Sequence, residues 1–294
     1  MNRNSTTTKT DVYQIITNRI ISLLEEGTIP WRKPWSYGAA QRPLNLVSHR
    51  HYQGINCFLL ACTPYASPYW LTYSQASKIG GHVRKGERGN YIVFWKMYEK
   101  EDANAEGGRK LLPVLRYYTV FNVEQCEGID CPKVEGEPCF RHDPIEAAEQ
   151  IALSMPNRPT IGTGGVRACY SPTADHVQVP ELSRYEKPEE YYSTLFHELA
   201  HSTGHESRLN REGITSNHFF GDEVYSREEL VAEMASAFLC GYCGIENATI
   251  ANSAAYIQSW IKVLRGDKKL AVIAAAQAQK AADYILDHKP ELVE

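Results

Sequence analysis

From Asp11 to Glu26, apolar side chains recur at Val12, Ile15, Ile16, Ile20, Leu23 and Leu24, and Gly27 follows. That spacing predicts one amphipathic helix with a glycine stop. Thr72-Tyr73-Ser74-Gln75 is a capping box that opens a short helix ending at Gly80-Gly81. From Tyr91 to Tyr98 and from Leu111 to Val120 the residues are β-branched and aromatic, predicting two strands across a charged tip at 99–110. Further on, the pattern predicts helices over 144–154, 188–203, 226–243 and about 252–288, with an extended segment from Tyr170 to Pro180. Residues 126–142 lack periodicity and carry prolines, glycines and acidic residues, so they read as a linker. The expected fold class is α+β in two domains, 1–125 and 143–294, the second mostly helical.

Charge sharpens that division. Residues 1–125 hold 16 Lys and Arg against 9 Asp and Glu, a net of +7, while 126–294 hold 15 against 26, a net of -11. Four of the five tryptophans, Trp31, Trp35, Trp70 and Trp95, lie in the basic part. A whole-chain net charge of -4 is too small for a DNA mimic. No run of eighteen apolar residues is present, which argues against a membrane span. The polar N-terminus has no apolar core of a secretory signal. We therefore expect a cytoplasmic bacterial protein in which the eight cysteines are mostly reduced thiols.

The sharpest chemistry is His197-Glu198-Leu199-Ala200-His201. Pro188 stands at the first helical position with Glu189 and Glu190 behind it, so this helix has its own start signal. Histidines four apart lie on one face and can grip one ion, and Glu198 is turned away from them, free to act as a general base. A catalytic zinc needs a third protein ligand. Position 207 is Ser207 rather than histidine, which excludes the extended metzincin pattern, and Gly204 separates His205 from the helix. The better source is Ser226-Arg227-Glu228-Glu229-Leu230-Val231-Ala232-Glu233, with Ser226 as helix cap and Glu229 and Glu233 on one face; Asp222 is a more distant alternative. The arrangement resembles the gluzincins. That likeness implies one zinc ion held by His197, His201 and Glu229, with Glu233 steadying His197, although 27 residues between His201 and Glu229 depart from the commonest gluzincin spacing. Tyr225, His205 and His218 are candidates to stabilise the oxyanion. Asp175 to Pro180 is either an edge strand for a peptide substrate or a core strand. Cys240 and Cys243 read as buried thiols, and Cys126, Cys131 and Cys139 with His142 as a weaker metal knuckle.

In the basic half, aromatic rings alternate with cations, the requirement for binding single strands without sequence preference. The candidates are Trp31, Arg32, Lys33, Trp35, Arg84, Lys85, Arg88 and Trp95.

Pro30-Trp31-Arg32-Lys33-Pro34-Trp35, Tyr52-Gln53-Gly54-Ile55-Asn56, Trp70 to Ala76 and Gly81 to Glu87 together resemble the N-terminal domain of ArdC antirestriction proteins. His197 to His205, with Glu228 to Glu233, resembles the metallopeptidase domain that follows it there. The N-terminal part is also similar to that of plasmid TraC-type primases. The resemblance implies a protein of conjugative plasmids that binds incoming single-stranded DNA and shields it from host restriction, with a peptidase whose protein substrate it does not name. The alternative is a module that occludes single-stranded DNA while the zincin half serves as scaffold. Neither the sequence nor the resemblance specifies an oligomeric state.

Overall fold

The computed structural model describes residues 11–31, 42–101, 109–130, 144–215, 223–245 and 253–288. Helix α1 (Val12–Glu25) forms where the apolar spacing placed it, and the Asp11 carboxylate caps it by accepting from the Tyr13 and Gln14 amides. After β1 (Leu44–Asn45) comes α2 (Ile55–Ala61), then β2 (Tyr69–Leu71) and α3 (Tyr73–Lys78). Helix α3 opens on the reciprocal Thr72–Gln75 capping box. Short β3 (His82–Val83) precedes the long hairpin of β4 (Asn90–Glu101) and β5 (Arg109–Asn122). The sheet order is β1-β2-β5-β4, parallel only between β1 and β2. β6 (Cys126–Glu127) pairs with β3, so the linker expected from residue 126 is folded back at its start.

The second half begins with α4 (Pro144–Ser154) and a three-stranded sheet of β7 (Thr160–Thr163), β8 (Cys169–Ser171) and β9 (His176–Val179). Strand β9 lies in the middle, parallel to β7 and antiparallel to β8. The reading of Asp175–Pro180 as an edge strand is thereby corrected: both sides of β9 are already paired. Helix α5 (Pro188–Ser202) packs on this sheet and against α7 (Glu223–Cys243), with short α6 (Glu212–Thr215) between them. Ser226 lies inside α7 rather than capping it. The single helix expected over 252–288 is two, α8 (Ser253–Gly266) and α9 (Leu270–Ile285). Between them the Asp267 carboxylate accepts from the Lys269 amide, closing a turn.

One apolar core runs through both halves, from Ile16 and Ile20 of α1 through Leu199 and Leu239 to Ile285 of α9. Helix α1 docks on the last two helices: Thr17 donates to the Lys268 carbonyl at 2.7 Å, and Lys268 pairs with Asp11 at 2.6 Å. Trp31 is 1% exposed, its ring edge-on to Trp260 at 5.1 Å and to Phe58 at 6.4 Å. Its assignment as a base-stacking residue is corrected by that burial, since no face of the indole is open to a base. Trp31→Ala is expected to cost about 3–5 kcal/mol, the usual price of truncating a large buried aromatic. Urea unfolding measures it, and a loss below about 1 kcal/mol would show that the ring is dispensable to the core.

Asn56 joins α2 to the hairpin by a buried two-way bond. Its amide donates to the Val93 carbonyl and accepts from the Val93 amide, both at 2.7 Å. A side chain thus stands in for a neighbouring strand on β4 and holds the root of the hairpin against the core.

Candidate metal centre

Helix α5 carries His197 and His201 one turn apart, and both rings are buried where α5 faces α7. Their Nε2 atoms lie 3.0 Å from each other. Glu229 of α7 spans the pair, its Oε2 3.5 Å from His197 and its Oε1 3.3 Å from His201. Two imidazole nitrogens and a carboxylate therefore converge on one point, the ligand atoms all within 4.8 Å of one another. Two ring nitrogens this close can share one proton at most, whereas one cation satisfies both and the carboxylate together. The donor set suits a divalent ion, and among the described residues it is the one such cluster.

The same groups govern each other's protonation. Burial alone would lower both imidazoles. Hydrogen bonding and attraction to Glu229 outweigh it, so His197 is raised above the ordinary histidine value and His201 well above it. Burial would likewise raise the Glu229 carboxyl, but the two imidazoles hold it far below the usual carboxylate range.

Behind the ligands stand two more carboxylates of α7. The Glu233 Oε1 lies 3.9 Å from His197 Nδ1, and the Glu228 Oε1 3.5 Å from His201 Nδ1. Each imidazole thus faces a carboxylate on the nitrogen away from the converging point, near enough for electrostatic attraction though not hydrogen-bonded to it. Sequence reasoning placed Glu233 and missed Glu228. Its signal was available only in part, because the cation that neutralises it comes from elsewhere in the chain. Arg211 grips both Glu228 oxygens and also donates to the Ala200 carbonyl and the Thr203 hydroxyl, tying α7 to the end of α5. The turn carrying Arg211 comes so near Gly204 that a Cβ there would lie 2.5 Å from Ile214 and 3.2 Å from the guanidinium. Glycine at 204 is a packing requirement as much as a helix stop.

Glu228→Gln keeps the shape and removes the charge facing His201 and Arg211. Metal affinity is expected to fall about 10–100-fold, read by competition with a chelating dye. Affinity equal to wild type would mean that His201 is held without this carboxylate.

Glu198 is buried beside the pair on α5, one residue beyond His197. The Tyr185 phenol is raised by burial and, among lesser causes, by the charge of Glu198, which puts it in the neighbourhood of the centre. His205 is engaged otherwise, its Nδ1 2.8 Å from the Ser207 hydroxyl. His218 and Asp222 lie outside the described residues, as does the Tyr225 side chain. Cys240 and Cys243 are buried thiols at the end of α7, Cys240 pushed up to about 12 by desolvation, which rules out a ready zinc knuckle there. Cys131, Cys139 and His142 lie outside the described residues.

The expected DNA-binding residues that the structure describes lie on different elements: Trp31 in the core, Arg84, Lys85 and Arg88 on the turn after β3, and Trp95 on β4. Arg32, Lys33 and Trp35 lie outside the described residues. Arg84 is bound to Glu87, which also accepts from Gln125, so the basic turn is partly neutralised from within. Lys85 and Arg88 are both exposed on the same turn. Trp95 is half-exposed on the hairpin, edge-on to Tyr13 of α1 at 6.1 Å.

Residues 146–278 match the zincin-like metallopeptidase family, and residues 10–121 match the N-terminal domain of the anti-restriction factor ArdC. The metal-free crystal structure of antirestriction ArdC protein from plasmid R388 is 37% identical, with a TM-score of 0.75 over 96% of this chain and 100% of that one. The chain belongs to the ArdC antirestriction family. The Mn(II)-bound structure of the R388 ArdC protein is 38% identical, with a TM-score of 0.76 over 95% of this chain and 98% of that one. The protein y4eC of Sinorhizobium fredii is 35% identical over 95% of this chain and 92% of its own length. A DNA primase TraC of Escherichia coli is 35% identical over 97% of this chain, which spans only 20% of the primase. Two-domain architecture with mixed helix and sheet is thus shared with ArdC structures, and the zincin-like fold brings with it a metal. No helix among the described residues is long and apolar enough to cross a membrane.

Proposed function

We propose that this ArdC-family chain is an antirestriction protein of a mobile element, acting in the bacterial cytoplasm as a zinc peptidase tethered to single-stranded DNA. The observation that carries the reading is the buried convergence of His197, His201 and Glu229, with Glu198 on the same helix. We place the boundary between the DNA-binding and peptidase regions within 126–142, as the charge division suggests.

The cation supplies polarisation of the scissile carbonyl and lowers the pKa of a water to about 7. The protein's own residues do the rest. Glu229 and the two imidazoles present three ligand atoms and leave the remaining position to substrate and water. Glu233 and Glu228 hold the imidazole rings in that orientation from behind. Glu198 takes the proton of the attacking water and delivers it to the leaving amine. The substrate is a protein, and cutting it removes an obstacle to incoming DNA. The decisive experiment scores entry of unmodified single-stranded plasmid DNA into a restricting host that expresses wild type or Glu198→Gln. Lost protection in the variant supports proteolysis, full protection supports occlusion, and no protection by wild type overturns the reading.

A further inference from the structure

The described charges on the hairpin of β4 and β5 all lie on one of its faces. In an antiparallel ladder, directly paired residues share a face, and faces alternate along each strand. The row that contains Ile92 opposite Tyr118 also contains Lys96 and Arg116. The row that contains Val93 opposite Tyr117 holds Trp95, Met97 and Leu115, with no charged side chain among the described residues. Both described cations of the hairpin therefore fall in one row.

The cationic row also carries open rings. Phe94 is 39% and Tyr118 45% exposed, with their centroids 5.9 Å apart. Next to them, Arg116 donates to the Tyr98 hydroxyl at 3.1 Å, and its guanidinium lies over the Tyr98 ring at 5.4 Å. Lys96 lies 5.5 Å from the same ring. Two cations are thus held over one aromatic plane while remaining at the surface. At the root of the row, Ile92 is buried with Trp70 and Val120, so this face is anchored in the core.

We propose that this face, with Phe94 and Tyr118 as stacking platforms and Lys96 and Arg116 as phosphate contacts, is where single-stranded DNA binds. The inference deepens the proposed function and rests on it. Charge complementarity selects a polyanion, and the open rings beside the cations select one with unpaired bases, because duplex DNA keeps its base faces stacked. It relocates the contacts from the Trp31 segment, whose one described tryptophan is buried, to the hairpin. Trp95 stands in the opposite row, against α1.

The test is fluorescence anisotropy of a labelled oligothymidine with the full-length protein, repeated with a duplex of equal length. Phe94→Ala and Tyr118→Ala are each expected to weaken single-strand binding about tenfold or more at every salt concentration, with little effect on the duplex. Lys96→Gln and Arg116→Gln are each expected to flatten the log–log salt dependence by about 0.7. Met97→Ala, exposed in the opposite row, is expected to bind as wild type does. Circular dichroism confirms that each variant is folded. If wild type binds and all four row variants bind equally well, the surface lies elsewhere, although the proposed function stands. Weakening by the charge variants alone overturns the stacking role. If wild type binds no single strand, this inference and the DNA-binding part of the proposed function fall together.

Discussion

A His201→Ala chain is expected to lose its metal, with affinity lower by at least about a hundredfold, more than removal of a supporting partner costs. The geometry gives the reason. His201 Nε2 is one of the three ligand atoms that converge among the described residues, 3.0 Å from His197 and 3.3 Å from Glu229. Its removal leaves a histidine and a carboxylate, too few for a protein zinc site. The fold should survive, because Glu228 keeps its buried pairing with Arg211 and so is not stranded as a lone charge. Elemental analysis of the purified variant checks the prediction. The parallel pair Glu229→Gln and Glu233→Gln checks the division of roles on α7. Loss of metal from the Glu233 variant alone would exchange the two assignments, and full retention by His201→Ala would remove the site.

The second large effect is expected from Glu198→Gln. That variant should retain its metal and lose about 10²–10⁴ in cleavage rate, the usual contribution of a positioned acid–base group. Glutamine keeps the volume of the buried side chain and removes only the capacity to take and return a proton. Metal content and cleavage should therefore separate in this variant and fall together in His201→Ala. Undiminished cleavage of a peptide by Glu198→Gln would assign the proton transfer to another group.

The helices α1, α4 and α5 were legible to within a residue or two, because each carries both an apolar stripe and an end signal: Asp11, Pro144 and Pro188 at the starts, Gly27 and Gly204 beyond two of the ends. The strongest part of the centre was legible for the same reason, since His197 and His201 are spaced by the helix itself. What escaped was whatever depended on distant partners. Helix α2 is buried at six of its seven positions, so it offers no polar face for a periodicity to reveal. Glu228 reads as one more surface acid until Arg211 is folded against it. Trp31 in a basic, proline-flanked segment reads as a DNA contact, and only Trp260, far along the chain, makes it a core residue. The break between α8 and α9 turns on one carboxylate, Asp267, bonding a backbone amide, which has no hydrophobic signature.

The shared core also sets the order in which the molecule can be completed during its synthesis. Helix α1 leaves the ribosome long before its partners α8 and α9. At about 5–20 residues per second, the interval is on the order of tens of seconds. Throughout that time Ile16, Ile20 and Leu24 lack the part of their native cover that α8 and α9 supply. The nascent chain must keep this apolar stripe out of trouble, by transient burial or by a chaperone, until α9 arrives to close the structure. A ribosome stalled before Ser253 would therefore hold a chain in which α1 still lacks its docking on α8 and α9.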